Sequence, residues 1–217
     1  MTFDSLDMLV VPFAFKVTDW MVDFSPIRIL GRWKAGFALD WHTRHSEFIG
    51  HNEYGYPMFD TRRSPVGELL YQLKNNNKLT VVGGLIDAAE AFVRSWEPGV
   101  EVIVPVPPSN VNRRVQPVQL VGKPLSSRLG LEWASDSVVK TKLTPQLKNI
   151  FDLDERNKLL DGAFTVKTAD LKGKTVLLFD DLYRSGATMN AVADVLQDES
   201  HVGAIYALAL TRTRSIR

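Results

Sequence analysis

Two adjacent carboxylates stand before a short glycine-containing loop in the C-terminal part of the sequence. Asp180 and Asp181 follow an apolar run, and the loop after them leads to Ser185, Gly186 and Thr188. Carboxylates accept hydrogen bonds, so neighbouring hydroxyl groups are natural partners for this pair. Free N–H groups at the start of a helix favour an anion, and glycine lets a ligand approach the backbone closely. A diol and a phosphate about one sugar apart, as in a ribose 5-phosphate, would fit this spacing.

The elements around the acid pair have the pattern of a parallel α/β sheet. The apolar run 175–179 predicts a buried strand, Thr188 opens an amphipathic helix, and 202–210 predicts a last strand. Ligands of open α/β sheets bind beyond the carboxyl ends of the strands, which is where the acids lie. Upstream, apolar spacing predicts a further strand and three helices, over 100–106, 64–74, 85–96 and 118–129.

Composition restricts the class of protein. The 217 residues are 45% hydrophobic and 24% charged, with a net charge of +1 and 0 cysteines, as in an ordinary globular protein. Thiolate metal sites, disulfides and cysteine nucleophiles are therefore excluded for this sequence. The longest apolar run, Met8 to Phe15, contains Pro12 and is too short to span a membrane. No basic residue precedes it, so we expect no secretory signal, no membrane partner and a cytoplasmic location.

The segment from Val176 to Thr188 resembles the fingerprint with which type I phosphoribosyltransferases bind phosphoribosyl pyrophosphate (PRPP). That fingerprint is an apolar run, two acids and a loop ending in Thr-Gly-x-Thr or Ser-Gly-x-Thr. The resemblance implies an open parallel sheet of about five strands, flanked by helices and covered by a small hood. We expect residues 1–64 to form the N-terminal hood or extension and residues 65–217 to form the PRPP-binding α/β domain.

Upstream segments are similar to the ComF branch of the same fold. The similarity rests on 102–114 with Gln116, on Gln146, on Glu155-Arg156-Asn157 and on 162–164. Two features depart from that branch. This sequence lacks the cysteines of the usual N-terminal zinc ribbon, and Val115 follows Arg114 where the branch has glycine. Neither departure touches the PRPP fingerprint.

The resemblance implies a role for each part of the site. Asp180 and Asp181 would hold the ribose hydroxyls, and either could contact Mg²⁺ that arrives with the substrate. The loop for the 5-phosphate would consist of Arg184, Ser185, Gly186, Ala187 and Thr188. The pyrophosphate loop would consist of Pro107, Pro108, Ser109 and Asn110, with Arg113 or Arg114 nearby. Lys140 or Lys142, at the start of a lid-like stretch that reaches Lys148, would neutralise the leaving pyrophosphate.

The leading hypothesis is therefore a Mg²⁺-dependent enzyme that transfers phosphoribosyl from PRPP to a nucleobase or amine and releases pyrophosphate. A homodimer is expected by analogy. The alternative is a non-catalytic PRPP or nucleotide sensor, or a ComF-like accessory protein in DNA uptake or defence. The near-neutral charge argues against nucleic acid as a partner. A metal site on His42, His45 and His51 is a further alternative, although their spacing fits no single helical face.

Overall fold

The computed structural model describes residues 22–142, 153–167 and 171–214. Gln146, Lys148 and most of the expected lid lie outside these residues. The helices are α1 (Pro65–Asn76), α2 (Val82–Trp96), α3 (Pro117–Leu129), α4 (Leu153–Leu160) and α5 (Ala187–Ser200), with a 3-10 turn at Leu79–Val81. The strands are β1 (Ile27–Arg28), β2 (Ala35–Trp41), β3 (Thr43–His51), β4 (Pro57–Arg63), β5 (Val102–Pro105), β6 (Glu132–Trp133), β7 (Val138–Lys140), β8 (Phe164–Val166), β9 (Thr175–Tyr183) and β10 (Ala204–Arg212).

In the described part of the chain, one six-stranded sheet organises the fold, in the order β1-β2-β10-β9-β5-β6. Strand β1 is antiparallel to β2, and the other neighbours run parallel. Two separate antiparallel pairs, β3 with β4 and β7 with β8, complete the strands. The predicted α/β class, an open parallel sheet flanked by helices, is confirmed.

The central strand β9 is buried on both faces. Successive strand residues point to opposite sides, so Leu178 packs into the cluster that contains Met189 of α5, whereas Leu177 packs into the cluster that contains Leu70 of α1 and Leu85 of α2. This two-sided burial explains why the run 176–179 is apolar throughout rather than alternating.

Strand β2 differs from the sequence expectation. The segment 35–41 belongs to the expected hood 1–64, but in the structure it lies inside the main sheet, parallel to β10, with Phe37 opposite Leu208. Its neighbours Ala38 and Leu39 are fully buried on opposite faces of the sheet. What remains outside the sheet is the hairpin β3–β4, on which Phe48 and Phe59 form an exposed cross-strand pair with ring centroids 5.8 Å apart.

Helix α1 begins as the sequence predicts. Ser64 is its N-cap, and the Ser64 hydroxyl accepts the Gly67 N–H at 2.9 Å, with Pro65 in the first turn. Leu70 and Leu73 are fully buried, so the helix is fixed against the sheet through its apolar face. Within the described residues, no helix is both long and apolar enough to cross a membrane.

Candidate functional site

The carboxyl ends of β5 and β9, which are neighbours in the sheet, open into a cavity of about 390 Å³. The ends of these two strands and the loops that follow them supply most of its wall, because both strands leave the sheet at the same edge. The lining includes Asp180, Asp181 and 184–188 from the β9 side, and Pro107, Pro108, Ser109, Asn110 and Arg113 from the β5 side. Segments predicted from distant parts of the sequence therefore meet in one cavity.

The acid pair lies on the wall of this cavity. The Asp181 N–H donates to Oδ1 of Asp180 at 2.7 Å. Desolvation of the carboxyl group, with the charge of Asp181 second, raises the pKa of Asp180 to about 8. At neutral pH the pair therefore carries close to one negative charge rather than two. Asp180 can then donate a hydrogen bond while Asp181 accepts one.

Lys74, in the last turn of α1, pairs with the second acid. Its Nζ lies 3.0 Å from both Oδ1 and Oδ2 of Asp181, and the two side chains are 17% and 15% exposed. Lys74 is not among the residues that the sequence predicts for the site. A lysine in the last helical turn is common because it complements the helix dipole, so its type and position gave no signal of a site.

The loop after β9 is built to bring backbone groups to a ligand. Gly186 has φ +79°, in the left-handed region, and it is the N-cap of α5. A Cβ at this position would lie 2.7 Å from the Tyr183 hydroxyl, so only glycine fits. The Tyr183 hydroxyl in turn donates to the Leu30 carbonyl at 2.8 Å, which anchors the loop to the chain near β1.

Gln116 holds the loop after β5. Its Nε2 donates to the carbonyl oxygens of Asn110 at 2.9 Å and of Arg113 at 3.1 Å. Inside the loop, the Asn110 side chain accepts the Asn112 N–H at 3.0 Å. One side chain at the start of α3 thus organises the backbone of the segment that was expected to contact pyrophosphate.

Further cationic side chains line the same cavity. Lys140, at the end of β7, and Arg156, on α4, line the cavity together with Arg184. Burial lowers the pKa of Lys140, and burial followed by the charge of Arg184 lowers the pKa of Arg156. Arg156 is only 5% exposed, which is unusual for arginine and marks it as part of the site. From the sequence, Arg156 is noted only in the segment Glu155-Arg156-Asn157 that is similar to the ComF branch, and no role in the site is predicted for it.

Two predicted residues lie away from the cavity lining. Lys142 donates through Nζ to the Asp161 carbonyl at 2.9 Å, and Arg114 is exposed beyond the loop after β5. Of the alternatives Lys140 or Lys142, it is Lys140 that lines the cavity. Of Arg113 or Arg114, it is Arg113.

His42 lies next to the acid pair rather than in a metal site. Its Nδ1 is 3.3 Å from the Thr211 hydroxyl, which donates to the Asp181 carbonyl at 3.4 Å. Burial, followed by the charges of Lys74 and Arg63, lowers the pKa of His42, so its ring is neutral at neutral pH. Among the described residues no group of three or more histidine and acidic side chains is arranged to hold a metal.

The Mg²⁺ implied by the resemblance finds a poor donor set at the acids. Mg²⁺ binds carboxylate oxygens directly, at about 2.0–2.1 Å. Both oxygens of Asp181 already contact the Lys74 ammonium, and Asp180 is protonated at neutral pH. The residues present therefore do not fit a divalent cation held by this pair.

Comparisons with known proteins find purine phosphoribosyltransferase folds. The chain matches no protein-family model and no curated protein. It is similar to adenine phosphoribosyltransferase from Trypanosoma brucei, solved with AMP, pyrophosphate and ribose-5-phosphate, at 12% identity and a TM-score of 0.44, covering 88% of this chain and 86% of that one. It is also similar to adenine phosphoribosyltransferase from Saccharomyces cerevisiae, at 15% identity and a TM-score of 0.45. That match covers 77% of this chain and 83% of the other.

A purine phosphoribosyltransferase from Pyrococcus horikoshii has 20% identity and a TM-score of 0.39, and the match covers 60% of this chain and 72% of that one. These similarities are too distant to support a conclusion about activity.

Proposed function

We propose that this protein binds PRPP and transfers its phosphoribosyl group to a nitrogen acceptor, releasing pyrophosphate. One observation carries the proposal. The acid pair, the Gly186 loop and the cationic wall with Arg156 line a single cavity at the carboxyl edge of a parallel sheet. A ligand that fills such a cavity has hydroxyl groups, a terminal phosphate and further negative charge, and PRPP has all three.

Each part of the ligand has a partner of suitable chemistry. The ribose hydroxyls would lie at Asp180 and Asp181, where one carboxyl donates and the other accepts. The 5-phosphate would lie against the N–H groups at the start of α5, with Ser185 and Thr188 as additional donors. The pyrophosphate would lie at the loop 107–110 near Arg113, because arginine offers paired donors to phosphate oxygens.

In the reaction, the acceptor nitrogen would attack the anomeric carbon of PRPP. The bond from that carbon to the pyrophosphate oxygen breaks, the electron pair leaves with pyrophosphate, and the acceptor nitrogen then loses a proton. Positive charge that develops at the sugar is stabilised by the nearby Asp181 carboxylate, and negative charge on pyrophosphate is stabilised by Lys140 and Arg113. No step is assigned to a metal at the acid pair, because Lys74 contacts both oxygens of Asp181.

The acceptor would enter over the hairpin side of the sheet, where residues 43–63 form the remaining part of the proposed hood. We propose a cytoplasmic setting, which the absence of cysteine fits. A homodimer stays part of the proposal by analogy.

Thermal unfolding with and without PRPP, each in excess Mg²⁺, tests the binding half of this proposal. A ligand that binds only the native state stabilises it by about 2.7 kcal/mol at a hundredfold excess over Kd, which is a rise in Tm of roughly 5–10 °C for a chain of this size. We expect this rise in the wild type and its loss in Asp181→Asn. The control is Asp198→Asn, which removes an exposed carboxylate near the far end of α5.

Pyrophosphate release with a panel of nucleobases and amines tests the catalytic half. Stabilisation by PRPP with pyrophosphate release for one acceptor supports a transferase. Stabilisation without release for any acceptor favours the non-catalytic sensor. If PRPP stabilises neither the wild type nor Asp198→Asn, the proposed function is wrong.

A further inference from the structure

The ammonium group of Lys74 occupies a place where a carboxylate site would otherwise receive a cation. Lys74 and Asp181 are 107 residues apart in sequence, and Nζ is 3.0 Å from each carboxylate oxygen. Both side chains are more than four-fifths buried. A pair this enclosed differs from a surface ion pair, because removing either partner leaves an uncompensated buried charge.

The ammonium is held by rigid structure rather than by a loop. Lys74 directly follows Leu73 in α1, and both Leu70 and Leu73 are fully buried against the sheet. Asp181 lies on β9, the central strand of that sheet. Since both partners belong to packed elements, the spacing of their backbones is set before any ligand arrives, and the Lys74 side chain spans it to reach Asp181.

A divalent cation on Asp181 would have to share its oxygens with this ammonium. It would bind an oxygen at about 2 Å while the Lys74 nitrogen stays 3.0 Å from the same atom, so the two cations would repel each other strongly. Moving the ammonium away by a change of the Lys74 rotamer would leave the Asp181 carboxylate, which is 15% exposed, without its partner.

The rest of the cavity already supplies positive charge for a polyanion. Of the described residues that line it, five are cationic and two are acidic. The cationic residues are Lys74, Arg113, Lys140, Arg156 and Arg184, and the acidic residues are Asp180 and Asp181. An ammonium has three donors, and Lys74 lines the cavity, so the donor not directed at Asp181 can reach a ligand oxygen.

We propose that Lys74 is the resident cation of the acid pair, so that this site binds PRPP without a divalent metal. The inference rests on the proposed function, since it concerns how that same site binds PRPP. It makes Lys74 a positioning residue that orients the Asp181 carboxylate for the ribose hydroxyls. It also separates this protein from an enzyme whose PRPP affinity depends on Mg²⁺ at the acids.

The test is a calorimetric titration of PRPP into the wild type, once with excess EDTA and once with excess Mg²⁺. We expect the two dissociation constants to agree within about threefold. The variant Lys74→Met removes the charge and keeps an unbranched apolar stem. In EDTA it should bind PRPP at least tenfold more weakly than the wild type, and Mg²⁺ should restore much of the loss. Lys74→Arg keeps the charge and should bind PRPP equally in EDTA and in Mg²⁺.

The matched control is Lys78→Met, which removes an exposed lysine four positions further along the chain and should behave as the wild type. If the wild type binds PRPP only with Mg²⁺, the inference is overturned while the proposed function stands. If it binds PRPP under neither condition, the proposed function fails and the inference fails with it. If Lys74→Met does not fold, the PRPP dissociation constants of the wild type and of Lys74→Arg in EDTA and in Mg²⁺ still show whether binding needs the divalent metal.

Discussion

Asp180 should make the stability of the free protein fall as pH rises. Desolvation of its carboxyl and the neighbouring charge of Asp181 raise its pKa from 3.8 to about 8. The native state therefore binds this proton more tightly than the unfolded chain does. The stabilisation is fully present below about pH 4, where both states are protonated, and it is lost as pH rises through about 8.

The size of the effect follows from one proton. Between the two pKa values, the free energy of unfolding should fall by roughly 1.4 kcal/mol per pH unit. From pH 5 to pH 8 that amounts to at most about 4 kcal/mol, because water entry relieves part of the desolvation. This is a large share of the 5–15 kcal/mol that typically holds a domain folded.

Urea unfolding of the wild type and of Asp180→Asn between pH 5 and pH 9 measures this loss of unfolding free energy. The amide has the shape of the carboxyl group and no charge to desolvate. The free energy of unfolding of Asp180→Asn should therefore rise relative to that of the wild type up to about pH 8. Above that pH the difference between the two should stay constant. Asp198→Asn serves as the control for loss of an exposed carboxylate. Parallel pH profiles for the wild type and Asp180→Asn would refute the reasoning.

Three further substitutions test the packing that positions the site. Gly186→Ala should abolish stabilisation by PRPP in thermal unfolding, because the added Cβ would lie 2.7 Å from the Tyr183 hydroxyl at a φ of +79°. Gly83→Ala is the control, because a Cβ there would have nothing within 4 Å. It should stabilise α2 by roughly 0.5–1 kcal/mol and leave PRPP binding intact. Gly122→Ala should cost about 1–3 kcal/mol in urea unfolding, because its Cβ would lie 2.7 Å from the Trp133 ring; an unchanged midpoint would contradict that packing. Ser64→Ala should cost about 1–2 kcal/mol by the same measurement, because the buried Ser64 hydroxyl both caps the Gly67 N–H and donates to the Trp41 carbonyl; an unchanged midpoint would contradict this cap.

The parts of the site that could be predicted from the sequence are local. The strand–acid–loop–helix unit around Asp180 and Gly186 consists of neighbouring residues whose types agree with one another: an apolar run, a turn residue and a helix start. The Ser64-Pro65 start of α1 has the same character. In such segments the sequence neighbours are also the structural neighbours, so residue type is enough.

The parts that could not be predicted depend on distant pairing. Lys74 has the residue type and position of an ordinary helix end, and only the fold brings it to Asp181. The seven residues of strand β2 include Gly36 and Asp40 and form no continuous run of strand-forming residues, and the partner strand β10 lies at the other end of the described chain. Arg156 belongs to a charged stretch that would usually be solvated, but the cavity wall encloses it.

The position of β2 also constrains how the chain can fold. His42, just after β2, and Thr211 in β10 are 169 residues apart in sequence yet in contact. A nascent chain that has emerged only as far as β9 has just the two-residue strand β1 to pair with β2. The edge of β2 and the edge of β9 that pair with β10 are both open. Contacts this remote in sequence slow folding, because a long loop must close before they form. During synthesis, the sheet and the Thr211 contact with Asp181 can therefore form only after β10 has left the ribosome, and until then two apolar strand edges are exposed to other chains and to chaperones.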